Sequence, residues 1–204
     1  MGSKNFVRPP VLSAGSRVAL LAPAGPLLEH DDLLRGEELC RALGFEPVLG
    51  PNAYRHYGYL AGTDEQRLSD LNAAIADPRI DAVWCLRGGY GMTRILDQVD
   101  FAPLRKRPKA IIGFSDITAL LNAAQVEAGL VTFHAPMARA PLTPFSRWHF
   151  DRVLTTVNPA GRLGRVAEGG YSARVMAVGS LGGLAAARRG ECDLAPIHLL
   201  DPQT

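Results

Sequence analysis

The stretch from Lys109 to Thr118 constrains the fold of this chain more than any other. An apolar strand, Ala110-Ile111-Ile112, runs through Gly113-Phe114-Ser115 straight into an apolar, alanine-rich helix that the spacing predicts from Asp116 to about Ala128. A strand that turns this tightly into a helix is half of a βαβ unit, and the same rhythm recurs on its N-terminal side. Strands are predicted at Arg17 to Leu21, Phe45 to Leu49 and Ile80 to Leu86. Between them lie helices at Asp31 to Leu43 and after Thr63 or Asp64, the latter with the apolar stripe Leu68, Leu71, Ala74 and Ile75. Short apolar strands alternating with amphipathic helices predict an α/β fold, a flavodoxin-like or Rossmann-like parallel sheet with helices on both faces. Such sheets place their sites at strand carboxyl ends.

Ser115 stands at one of those ends and carries two readings. As a nucleophile elbow, Gly113 permits the turn and the serine meets the start of a helix, with its hydroxyl exposed beside unpaired backbone N–H groups. The sequence has Ile117 where the usual Gly-x-Ser-x-Gly has its second glycine. As a helix cap, Ser115 would bond the first turn and Asp116 would sit at the positive end of the helix.

A second loop of the same kind, Arg87-Gly88-Gly89-Tyr90-Gly91, follows the strand ending at Leu86. If the two strands are neighbours, the N–H of Gly88 or Gly89 and that of Asp116 converge on an oxyanion forming beside Ser115. The loop is not a phosphate motif, because it lacks the lysine and serine of a P-loop and no Gly-x-Gly-x-x-Gly opens a helix. A third loop, Ala22-Pro23-Ala24-Gly25-Pro26, follows the first strand.

Composition narrows the function classes. Among 204 residues, 22 basic and 20 acidic side chains leave a net charge of +2, which gives no electrostatic case for nucleic acid. Arg105-Lys106-Arg107 is expected in a solvated loop. Cys40, Cys85 and Cys192 are too few and too dispersed for a disulfide framework or zinc site, and read as buried thiols in a reducing compartment. The apolar run from Val18 to Leu28 is broken by Pro23, Gly25 and Pro26, so it reads as strand and loop and not as a signal peptide or span. Residues 1 to 15 read as a polar lead-in. Later elements are expected as a strand at Leu130 to Phe133, a helix at Arg147 to Val157, a turn-rich segment at Gly164 to Ser172, a strand at Arg174 to Val178, a helix at Leu181 to Arg189 and a strand at Asp193 to His198.

In order, Ala22-Pro23-Ala24, the run from Leu60 to Arg67 (Leu-Ala-Gly-Thr-Asp-Glu-Gln-Arg), Arg87 to Gly91, Gly113 to Thr118 and Phe133-His134-Ala135-Pro136-Met137 resemble the N-terminal part of the serine LD-carboxypeptidase family. That family includes muramoyltetrapeptide carboxypeptidases and microcin C self-immunity proteins. The resemblance implies that Ser115 is the nucleophile of a Ser-His-Glu triad. It also implies that Asp116 with Gly88 or Gly89 forms the oxyanion hole, and that Arg87, Tyr90 and His134 line the substrate pocket. A cytoplasmic amidase follows from it, one that needs no metal or cofactor and takes a terminal D-amino acid from murein tetrapeptides in cell-wall recycling. Murein peptide is its implied partner, a homodimer is compatible with it, and neither nucleic acid nor membrane is called for.

The resemblance covers about residues 16 to 165, and in that family the triad Glu and His lie in a further C-terminal domain. After Ser115 the chain offers Glu127, Glu168, Glu191, His134, His149 and His198, each with an ordinary structural reading. From about 174, Val178-Gly179-Ser180-Leu181-Gly182-Gly183-Leu184 and Arg189 to Ala195 resemble part of a periplasmic-binding-protein-like ligand domain, and the chain stops inside that pattern. The expected division is therefore 1–165 nucleophile domain, 166–173 linker and 174–204 ligand-domain fragment. Turnover by these residues alone is expected to be low. A non-catalytic anion- or peptide-binding protein, or a truncated or chimeric product, is the competing expectation.

Overall fold

A computed structural model describes residues 6–29, 31–144, 146, 147, 150 and 154. Five parallel strands form one sheet in the order β2-β1-β3-β4-β5: β1 Arg17–Leu21, β2 Glu46–Leu49, β3 Ala82–Cys85, β4 Ala110–Gly113 and β5 Phe133–His134. This is the flavodoxin-like order, which reverses between β1 and β3. Successive residues of a strand face opposite sides, so a strand covered on both faces is apolar throughout. Ala19, Leu21, Val83, Cys85 and Ile111 pack on one face beneath α2 (Asp64–Ala76), α3 (Ala102–Lys106) and α4 (Thr118–Ala128). Val18, Leu20, Trp84 and Ile112 face α1 (Asp31–Ala42) and the helical residues Phe150 and Leu154 on the other. Trp84 is fully buried, stacks at 4.8 Å on Phe150 and donates from Nε1 to the Pro136 carbonyl at 2.8 Å.

α2 is secured at both ends. Thr63 is its N-cap, and a complete capping box exchanges hydrogen bonds between Thr63 and Gln66. At the other end the buried Lys109 Nζ donates to the carbonyls of Ala74 and Asp77, where a cation complements the helix dipole. Burial pulls the Lys109 ammonium down to about 8.

Several local expectations shift. Lys109 is a buried helix clamp ahead of β4. Arg105 and Lys106 close the short helix α3, although they remain exposed as expected. The strand expected at Leu130 to Phe133 lies at Phe133–His134, three residues later than its expected start, because Leu130 instead bridges Val7. That bridge, together with buried Leu12 donating its N–H to the Leu154 carbonyl at 2.7 Å, gives the lead-in a packing role its polar composition did not suggest. The elements expected after residue 157, together with His149, Glu168, Glu191, Cys192 and His198, lie outside the described residues. Among the described residues no helix is long and apolar enough to cross a membrane, and no group of His, Cys, Asp and Glu is arranged to hold a metal ion.

Candidate active site

β3 and β4 are adjacent and parallel, pairing Val83 with Ile111 and Trp84 with Ile112. The loops that follow them therefore emerge side by side at the carboxyl edge. β4 ends at Gly113, where an added Cβ would stand 2.8 Å from Ile117 Cγ2, so only glycine lets the chain fold back this closely. Phe114 is extended, and Ser115 then adopts φ +58, the left-handed conformation that costs a non-glycine residue roughly 1–2 kcal/mol. Among the described residues, Ser115 is the only non-glycine with positive φ. This strained strand-to-helix turn is the geometry of a nucleophile elbow.

The capping alternative has no support in the hydrogen bonds. A single 3-10 turn, Ser115–Ile117, precedes α4, and neither it nor α4 has a side-chain cap. Ser115 is exposed and its hydroxyl has no hydrogen-bond partner among the described residues.

Gly88 packs directly against this turn. A Cβ on Gly88 would lie 2.9 Å from Ser115 Cβ, 3.2 Å from Ser115 Oγ and 3.3 Å from Asp116 N. Its carbonyl accepts from Gly25 N–H at 2.7 Å. A trans peptide points its N–H opposite its carbonyl, so the Gly89 N–H faces away from the β1 loop. Gly25 and Gly89 are themselves in close contact, since a Cβ on Gly89 would meet Gly25 Cα at 3.1 Å. The backbone N–H groups of Gly88, Gly89 and Asp116 have no acceptor among the described residues. Of these, Asp116 adjoins Ser115 and Gly88 packs against it, so open donors lie in the loops beside one exposed hydroxyl.

The other candidates occupy the surroundings. Arg87 is half-buried and donates from Nη1 to the Pro26 carbonyl, tying the β3 loop to the β1 loop. Tyr90 is exposed and meets Tyr59 edge-on at 5.5 Å. His134 ends β5 in register with Gly113, and its exposed ring lies edge-on to Phe114 at 6.1 Å. Glu127 is on the surface of α4, paired weakly with Arg105 at 3.8 Å.

Two residues make contacts that had not been anticipated. Asp116 Oδ2 accepts from Met92 N–H at 2.8 Å. Arg67, buried on the apolar side of α2, donates to the carbonyls of Pro23 and Gly91 and pairs with Asp64. Its spacing signalled this: Arg67 falls four residues before Leu71, on the stripe where an apolar residue belongs, and three after an acid.

A doubly wound parallel sheet with a strained serine turn set against a glycine turn of the neighbouring strand defines an α/β domain whose candidate site lies at the carboxyl edge of the sheet. The chain belongs to the LD-carboxypeptidase family, whose N-terminal domain matches residues 18–135. It is 45% identical over 135 residues to the murein tetrapeptide carboxypeptidase of Pseudomonas aeruginosa, covering 64% of this chain and 42% of that protein. Among solved structures, muramoyltetrapeptide carboxypeptidase from Oxalobacter formigenes superposes with a TM-score of 0.61 at 33% identity, over 69% of this chain and 48% of that one. The microcin C7 self-immunity protein MccF in complex with aspartyl sulfamoyl adenosine superposes with a TM-score of 0.70 at 26% identity, over 74% and 48%. The chain thus spans less than half the length of the relatives it matches. A PBP superfamily domain matches residues 163–204, outside the described residues.

Proposed function

We propose that this chain carries the nucleophile domain of a serine LD-carboxypeptidase acting on murein tetrapeptides in cytoplasmic cell-wall recycling, with residues 1–165 as that domain, 166–173 as a linker and 174–204 as part of a ligand domain. The observation that carries the reading is Ser115 itself: exposed, held in the left-handed region, its hydroxyl unbound, and flanked by the open N–H groups of Asp116, Gly88 and Gly89.

In this reading Ser115 Oγ attacks the amide carbonyl carbon next to the terminal D-amino acid, and its proton passes to a histidine oriented by a glutamate. The carbonyl oxygen becomes an oxyanion held by Asp116 N–H and a glycine N–H of the β3 loop. The C–N bond breaks, the amine leaves with the proton, and water releases the acyl group from Ser115. Arg87, Tyr90 and His134 line the approach. The two relatives named for muramoyl or murein tetrapeptide substrates support this substrate class, and the MccF complex with aspartyl sulfamoyl adenosine supports a small ligand bearing an aminoacyl group.

The test is a domain replacement. Residues 18–135 of this chain, exchanged for the matching segment of the Pseudomonas aeruginosa enzyme, should preserve D-alanine release from murein tetrapeptide, and Ser115→Ala in that hybrid should abolish it. A hybrid that folds, by circular dichroism, and releases D-alanine equally well with Ser115→Ala would overturn the assignment.

A further inference from the structure

One peptide group beside the site is gripped at both ends. Arg67 Nη1 donates to the Gly91 carbonyl at 2.9 Å, and the N–H of Met92 donates to Asp116 Oδ2 at 2.8 Å. The Gly91 carbonyl and the Met92 N–H belong to the same planar amide. A cation therefore pulls on its oxygen while an anion pulls on its hydrogen, and each contact polarises the bond for the other.

The residues around this amide leave it little freedom. Gly91 has φ +117, and a Cβ there would stand 3.2 Å from Arg67 Nη1 and 2.4 Å from Leu60 Cδ2. Arg67 is 1% exposed, and Asp64, its ion-pair partner, is held in turn by Arg94 at 2.7 Å. Arg67 Nε is buried with no acceptor among the described residues. A buried cation with an open donor is costly in stability terms, so packing alone gives a poor account of an arginine at this position.

At the far end of the linkage, Asp116 carries the open backbone N–H next to Ser115, close to Gly88. Its carboxylate is fastened to the Gly91–Met92 amide, so a shift of that amide moves the 116 backbone relative to the glycine turn. We infer that Arg67 is a positioning residue: acting through the Gly91–Met92 peptide and the Asp116 carboxylate, it sets the spacing of the N–H groups that receive the oxyanion. This rests on the reading of Ser115 as nucleophile.

The test uses the 204-residue chain labelled with nitrogen-15, compared with Asp116→Asn, Arg67→Lys and the double variant. Asp116→Asn should make the Met92 amide exchange at least tenfold faster and should move the Arg67 Nε–H resonance, although Arg67 and Asp116 share no hydrogen bond. Arg67→Lys should in turn move the Met92 and Asp116 amide resonances. In the domain hybrid, which supplies the histidine and glutamate, the rate at which a fluorophosphonate labels Ser115 should fall about tenfold in either single variant and no further in the double, since both break one linkage. An Arg67 resonance unmoved by Asp116→Asn, or losses that multiply in the double variant, would overturn the inference. Should Arg67→Lys fail to fold, the Asp116→Asn protein alone decides through the Arg67 resonance. Coupled resonances with no labelling of Ser115 in the otherwise unaltered hybrid count against the nucleophile reading and leave the linkage standing. Normal labelling with uncoupled resonances counts against Arg67 alone.

Discussion

α2 and α4 begin in opposite ways at the same edge of the sheet. Thr63 places its hydroxyl on the Gln66 N–H and completes a capping box, and Lys109 closes the other end of that helix. Ser115, one β-hydroxyl residue at a similar junction, caps nothing, sits in a left-handed backbone and leaves its hydroxyl exposed. α4 is finished only at its far end, where Gly129 at φ +65 returns its N–H to the carbonyls of Ala124 and Gln125. The difference separates scaffold from site. α2 is built to stay put and holds Arg67 against the loops, whereas the start of α4 gives up local stability to keep one oxygen and several N–H groups available.

The largest expected break in this contrast is chemical. In the domain hybrid, Ser115→Ala should lower D-alanine release by about a thousandfold or more, as removal of a nucleophile does, while Thr63→Ala leaves the rate per folded molecule unchanged. Steady-state assays of the two variants check this directly.

Gly88→Ala should come next. Its Cβ would press to 2.9 Å on Ser115 Cβ and 3.3 Å on Asp116 N, so fluorophosphonate labelling of the domain hybrid should drop at least about a hundredfold, the scale of losing one oxyanion donor. Crowding at this buried position should also cost roughly 1–3 kcal/mol in urea unfolding. Labelling at the normal rate would show that the glycine turn does not face the reacting oxygen.

On stability the two junctions should move in opposite directions. Thr63→Ala should destabilise the chain by about 1 kcal/mol through loss of the cap. Ser115→Gly should raise stability by about 0.5–1 kcal/mol, because relief of the left-handed backbone outweighs the extra freedom of glycine in the unfolded chain. Thermal melts of both variants measure the two effects, and a lower melting temperature for Ser115→Gly would count against strain relief.

The smallest effect is a pH dependence at the rear of α2. Lys109 titrates near 8 in the folded chain because burial disfavours its charge, against about 10.4 when unfolded. Between those values the unfolded chain binds more protons, so this group's contribution is fully present above about 10.4 and is lost as pH falls through about 8. Lys109→Met should flatten that rise in urea midpoints measured from pH 7 to 10.

Much of this was legible in the sequence because it is written in local patterns. Strand β1 has the bounds its apolar run predicts, and of the two caps the sequence offered, Thr63 and Asp64, Thr63 is the one used, whereas the adjacency of β3 and β4 was only a condition in the sequence and comes from the sheet order. Arg67 was harder to interpret: its place on an apolar stripe is visible, but its acceptors belong to loops 24 and 44 residues away. His134 was expected at a strand end and lies there, while its contact with Phe114 depends on β4–β5 register.

The sequence by itself determined the α/β class, the glycine turns and the family, since periodicity and short motifs depend on residues close in the chain. Only the tertiary structure decided whether Ser115 caps a helix or stands free. It also brought Gly88 against Ser115 and closed the linkage from Arg67 through Gly91–Met92 to Asp116. Those outcomes depend on sheet order, and sheet order is set by packing between segments that no local pattern connects.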